Sequence, residues 1–103
     1  MSHFGLPACT LETLQRIFSG YPTVASVRLY GSRAKGTYNP RSDIDLAVFG
    51  PSVDRFVVAA ILQDIDDSDI PYLVDIQNFS GLRNPALIEH IERVGQEIYR
   101  RPT

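Results

Sequence analysis

Apolar and polar positions along this chain repeat with two different periods, and the period changes at glycines and prolines. Leu11, Leu14, Ile17 and Phe18 recur at helical spacing, as one face of a 3.6-residue repeat does. The pattern predicts a first helix over 11–18, with Thr10 as N-cap and Gly20 and Pro22 as stop signals. In "TVASVRLYG" the period drops to two, with Val27 and Leu29 alternating against Ser26 and Arg28, which predicts a strand running into Gly31. The alternation resumes from Asp43 to Phe49 and stops at "GPS". A helix follows, with Ser52 as its cap and Val53, Phe56, Val57, Ala60, Ile61 and Ile65 packed on the sheet. A third strand is predicted from Tyr72 to Gln77. A last helix has Asn84 as cap, Pro85 in its first turn, Leu87, Ile91 and Val94 as its buried stripe, and Gly95 beyond its end. The order is helix, strand, loop, strand, helix, strand, helix, which is one α/β unit without repeats or linkers.

Composition narrows the class. The 103 residues suit one domain spanning 1–103, and 44% hydrophobic with 21% charged residues is ordinary for a folded globular chain. A formal net charge of −2 argues against general nucleic-acid binding, although Arg28, Arg33, Lys35 and Arg41 are expected to form a local basic patch. Cys9 is the only cysteine, so no intrachain disulfide is available, and it is read as structural. No apolar run approaches a membrane span, and no targeting segment is recognisable. The expectation is a cytoplasmic protein with no membrane partner.

Chemistry concentrates in "GSRAKGTYNPRSDIDL", residues 31–46. In a strand, residues two apart share a face, so Asp43 and Asp45 project side by side with Cα atoms roughly 6.6 Å apart. Two carboxylates so close repel unless a cation lies between them, and hard oxygen ligands at that separation suit one or two Mg²⁺ ions. Asp75 is the candidate third ligand, a lone acid within an otherwise apolar strand. Each acid alone has an ordinary explanation as a turn cap, an arginine partner or a solvated residue. The three together point to a metal site for phosphoryl transfer.

Gly31, lacking a Cβ at a strand end, would let a phosphate approach the main chain, and Ser32 adds a hydroxyl and an amide. Arg33 and Lys35, the only lysine, are candidates to meet the remaining phosphate charge, and Ser42 is a further candidate nucleotide contact. Gly31 and Gly36 have the spacing of P-loop glycines, but Thr37 and Tyr38 follow where Lys and Ser or Thr are needed. The run "DIDDSD", residues 64–69, lacks the glycine and the terminal glutamate of a calcium loop and reads as a solvated helix end. His3 and His90 are given no role.

Gly31-Ser32, ten residues, Asp43-x-Asp45 and a later Asp75, with the blocks "GSRAKG", "SDIDLAVF", "VDIQNF" and "IERVGQEIY" in order, resemble the minimal nucleotidyltransferases of the DNA polymerase beta superfamily. Within that superfamily the sequence is most similar to the MntA-type antitoxins of HEPN/MNT toxin–antitoxin pairs. The resemblance implies an α/β (α+β) nucleotidyltransferase fold, a small mixed sheet flanked by helices. It implies that Asp43 and Asp45 hold Mg²⁺ and ATP, that Asp75 completes the site and activates the acceptor hydroxyl, and that Gly31 and Ser32 bind the triphosphate. It further implies transfer of AMP to a tyrosine of a partner HEPN ribonuclease. Two other functions stay open: an antitoxin that acts by binding alone, and a homodimeric enzyme acting on a small-molecule hydroxyl.

Overall fold

The computed structural model describes residues 4–39 and 41–102, so His3 lies outside the described residues. Helix α1 runs Ala8–Ser19. Strand β1 (Ser26–Tyr30) leads through Gly31 into a single turn of helix, α2 (Ser32–Lys35), and the chain continues to β2 (Ile44–Phe49). Helix α3 (Arg55–Asp66) crosses over to β3 (Val74–Asn78), and a 3-10 turn at Phe79–Gly81 leads to α4 (Pro85–Val94) and β4 (Gln96–Arg100).

The sheet order is β3-β2-β1-β4, with β2 and β3 parallel and the other two pairs antiparallel. The parallel pair requires a crossover, which α3 supplies. Period-two burial fixes which side chains face which layer. Val27 and Leu29 of β1, Ile44, Leu46 and Val48 of β2, and Ile76 of β3 form the main core with Leu14 and Phe18 of α1 and Ile61 and Ile65 of α3. Each such side chain removed from water contributes roughly 1.5–3 kcal/mol. The alternate residues Tyr30 and Ala47 meet Ile91 of α4 in a smaller cluster, flanked by Phe49, Phe79, Leu87 and Val94. The acids of β2 and β3 therefore belong to the α4 side of the sheet, near the limit of that thinner cover.

Several local expectations change. Helix α1 begins three residues before the apolar repeat, after Pro7, and Thr10 is buried within it instead of capping it. Cys9, read as structural, is exposed on its first turn. The cap of α3 is Asp54, not Ser52: its Oδ1 accepts from the Phe56 and Val57 amides at 3.0 and 2.9 Å. That later start turns Phe56 outward, 69% exposed, away from the sheet it was expected to cover. Asn84 caps α4 as its sequence implied, with Pro85 at the first helical position. Strand β4 was not anticipated. Among the described residues, no helix is long and apolar enough to cross a membrane.

Candidate active site

Asp45 and Asp75 are paired directly across the parallel β2–β3 ladder, and Tyr30 opposes Asp45 on the other side, across β1–β2. The row Tyr30, Asp45, Asp75 therefore crosses three adjacent strands. Asp43 stands one residue before β2, and the fully buried Ile44 between it and Asp45 anchors the pair to the core. Of the three acids singled out in the sequence, the register sets Asp45 beside Asp75, with Asp43 two residues upstream of Asp45.

Electrostatics agree with that grouping. The Asp45 carboxyl is pushed above its ordinary range, first by burial, then by the charges of Asp75 and Asp43, with His90 working in the opposite direction. Burial, Asp45 and Asp75 push the Tyr30 phenol up to about 12, so its proton stays in place at neutral pH. Asp75 is exposed on the edge strand, and its Oδ2 accepts from Gln77 Nε2 at 3.3 Å.

Gly31 has a reason for being glycine that the sequence did not reveal. Its backbone lies at φ 76°, ψ −154°, a region essentially closed to other residues. A Cβ placed there would sit 2.5 Å from Asp45 Oδ2. The glycine thus makes room for the Asp45 carboxylate itself. The Gly31 amide donates to His90 Nε2 at 3.3 Å, and the His90 ring meets Tyr30 edge-on at 6.0 Å between centroids. His90, to which the sequence assigns no role, therefore lies against Gly31 and Tyr30. The available signal was its spacing, three residues after Leu87 and four before Val94, which places it on the inward side of α4.

The basic residues do not assemble as one patch. Arg33 is 1% exposed and points away from a phosphate-facing position. Its Nε and Nη2 donate to the Ser42 carbonyl at 3.1 and 2.8 Å, and its Nη1 donates to the Phe4 carbonyl at 2.9 Å. Its guanidinium lies 5.3 Å from the Tyr38 ring centroid and 5.0 Å from that of Tyr72, within cation–π range. Arg33 is thus a brace for the loop before Asp43. Ser42 reinforces the same loop, since its Oγ accepts from the Asn39 amide at 2.9 Å and its own amide donates to the Asn39 carbonyl at 3.0 Å. Arg28 lies over the Phe49 ring. Lys35 remains exposed at the end of α2, and Ser32 opens that turn.

Among the described residues, no three His, Cys, Asp or Glu side chains are gathered as the ligands of one ion. Carboxylate oxygens such as those of Asp45 and Asp75, paired across the ladder, are the donor type that a hard cation takes.

A small mixed sheet flanked by helices, with its acids at the ends of paired strands, is the nucleotidyltransferase fold. The chain belongs to the polymerase beta nucleotidyltransferase family, which matches residues 12–103, and its reaction class is accordingly nucleotidyl transfer. Solved structures share the fold. One is a toxin–antitoxin complex with AMP-PNP, with TM-score 0.73 at 20% identity over 87% of this chain and 73% of that one. Another is the MntA-HepT toxin–antitoxin complex, with TM-score 0.69 at 16% identity over 91% and 73%. No curated protein matches the sequence.

Proposed function

We propose that this protein is a Mg²⁺-dependent antitoxin that transfers AMP from ATP to a tyrosine hydroxyl of a partner HEPN ribonuclease. The observation that carries the reading is the register pairing of Asp45 with Asp75, with Asp43 close enough to raise the Asp45 carboxyl further. The fold neighbours described as toxin–antitoxin complexes, one with AMP-PNP, support the substrate and the partner.

The chain's residues take distinct roles. Asp43 and Asp45 would hold the cation. Mg²⁺ in nucleotide sites takes one or two carboxylates and fills its shell with phosphate and water, so a cage of three side chains is not required. When bound, the ion supplies charge neutralisation for the triphosphate and for the carboxylates. Gly31 and Ser32 orient the phosphates, and Lys35 meets their outer charge. Arg33 and Ser42 keep the loop before β2 in place so that Asp43 enters the site at a fixed height. Asp75, steadied by Gln77, takes the phenolic proton as the acceptor oxygen bonds to the α-phosphorus and the bond to pyrophosphate breaks. Tyr30, whose own phenol keeps its proton, is a wall of the site.

The test is incubation of the protein with ATP, Mg²⁺ and the HEPN partner, followed by intact mass. The partner should gain the mass of one or more AMP groups with the wild type and none with Asp45→Asn. Full neutralisation of the ribonuclease by Asp45→Asn at matched protein levels would establish the binding-only alternative.

A further inference from the structure

The row of acids ends at the edge of the sheet. Beyond Asp75, β3 pairs with no further strand among the described residues, whereas the opposite end of the row is closed by β1, Tyr30 and His90 of α4. The β3 edge is therefore an open approach to Asp75 for an acceptor hydroxyl.

That edge carries more than open backbone groups. Leu73 is 76% exposed and lies two residues before Asp75, immediately ahead of β3. Around the edge, on the α3 side, a groove is lined by Ala59, Leu62, Ile70, Tyr72, Leu73 and Val74. Phe56 stands one turn before Ala59 on α3, also solvent-facing. Exposed apolar residues scattered singly need no explanation, but Leu62 and Leu73 line one groove, and Phe56 is exposed on the helix that forms its wall.

Charge marks the same face. Residues 56–82 hold five of the twelve acidic residues and none of the ten basic ones. Asp66 lines the groove, and Asp67 and Asp69 follow at the C-terminal end of α3. Acids there oppose the helix dipole, and the last turn holds no basic residue to offset them. The rest of the chain is net positive, so the acidity is local.

We propose that the β3 edge and the adjoining α3 groove form the docking surface for the acceptor protein, and that the docking partner presents a basic surface with an apolar centre. A ribonuclease must carry such basic surface to hold RNA phosphates. Docking here would cover that surface while delivering a hydroxyl to Asp75. The inference rests on the proposed transfer to a protein acceptor, and names where that acceptor sits.

Binding of the HEPN partner would be measured by titration calorimetry without ATP, and transfer by intact mass, for the wild type, Phe56→Ser/Leu73→Ser and Asp66→Asn/Asp69→Asn. All three should melt alike and show the same rise in melting temperature with ATP and Mg²⁺, which certifies an intact site. The apolar variant should bind at least tenfold more weakly and raise the KM for the partner without changing kcat. The charge variant should bind more weakly at low salt and show a shallower salt dependence. Unchanged affinity in both variants would overturn the docking surface while leaving the transferase reading untouched. Tight wild-type binding that is lost in the variants, with no mass gained by the partner, would retain the surface and overturn the transfer. Conversion of a self-associated protein to monomer by Phe56→Ser/Leu73→Ser, with partner affinity unchanged, would assign the face to a second copy and overturn the proposal.

Discussion

Gly31→Ala adds one carbon beside the Asp45 carboxylate, and its two effects can be separated. The backbone at φ 76°, ψ −154° costs a residue with a Cβ about 1–3 kcal/mol. The new carbon would also lie 2.5 Å from Asp45 Oδ2 and 3.3 Å from Asp45 Cγ, so the carboxylate must retreat by about half an ångström or more. Turning it off its preferred rotamer adds about 0.5–1.5 kcal/mol. Stability should therefore fall by about 3 kcal/mol, a loss of roughly 10–20 °C in melting temperature for a domain of this size. Displacing a group at the reacting centre by about 1 Å is worth on the order of a hundredfold in rate, so a retreat of about half an ångström should lower kcat/KM for nucleotidyl transfer by roughly tenfold or more. Gly36→Ala is the internal control: Gly36 also has positive φ, 81°, but its Cβ would meet nothing within 4 Å. It should cost about 1 kcal/mol and leave the rate unaltered. In an Asp45→Ala background, Gly31→Ala should lose the carboxylate part of its cost and keep the backbone part. Thermal melts and transfer kinetics on the four variants decide the matter. Equal stability and rate effects for Gly31→Ala and Gly36→Ala, with no coupling to Asp45, would refute the idea that Gly31 exists to seat the carboxylate.

Two further variants probe the same corner. Because the Asp45 carboxyl is raised in the folded protein, its ionisation costs nothing below the unfolded value near 3.9, and the cost grows as pH rises from there and is complete above the folded value. Metal-free Asp45→Asn should thus melt above the wild type at pH 7–8, with the gap closing as pH falls towards 4, while transfer drops roughly a thousandfold, about 4 kcal/mol of lost barrier reduction. A variant that melts below the wild type at pH 8 would contradict the repulsion. Arg33→Lys cannot reproduce three bonds to two carbonyls or the contact with two aromatic rings, and should cost about 2–4 kcal/mol. Amide exchange should accelerate over the loop before β2, and a melting point within about 1 °C of the wild type would show that the loop does not depend on this brace.

What the sequence disclosed, and what it hid, divides by range. The acids were legible because strand alternation is local: once Ile44 is apolar and inward, Asp43 and Asp45 share the other face. Asn84 and Pro85 were legible as a helix start for the same reason. Arg33 was not, since a charged residue reads as solvent-facing until Tyr38 and Tyr72, far apart in sequence, close on it. Strand β4 escaped notice because only Ile98 of its five residues is buried, leaving no alternation to read, and its pairing with β1 is a long-range event. The first turn of α1 is hidden likewise: Ala8 and Cys9 are exposed, so the helix precedes its own apolar signal. The contact of Gly31 with Asp45 was not legible, because the chain position of the glycine gives no hint that this carboxylate lies against it.

The parallel register of β2 and β3 has a consequence for when the site comes into being. Asp45 and Asp75 are thirty residues apart along the chain, and closing a loop of that length carries an entropic cost on the order of 3 kcal/mol. No hairpin can bring them together early, because parallel strands meet only after the intervening helix has folded back across them. The carboxylates then meet as like charges, so they hinder the very closure that creates their site. Contacts under α3, among them Ile61 and Ile65 against Leu46 and Ile76, must supply the drive. The pairing of Asp45 with Asp75 therefore waits on the parallel crossover. A nascent chain has no reactive fragment until the crossover is complete, and a bound cation with its nucleotide would favour the closed form by mass action.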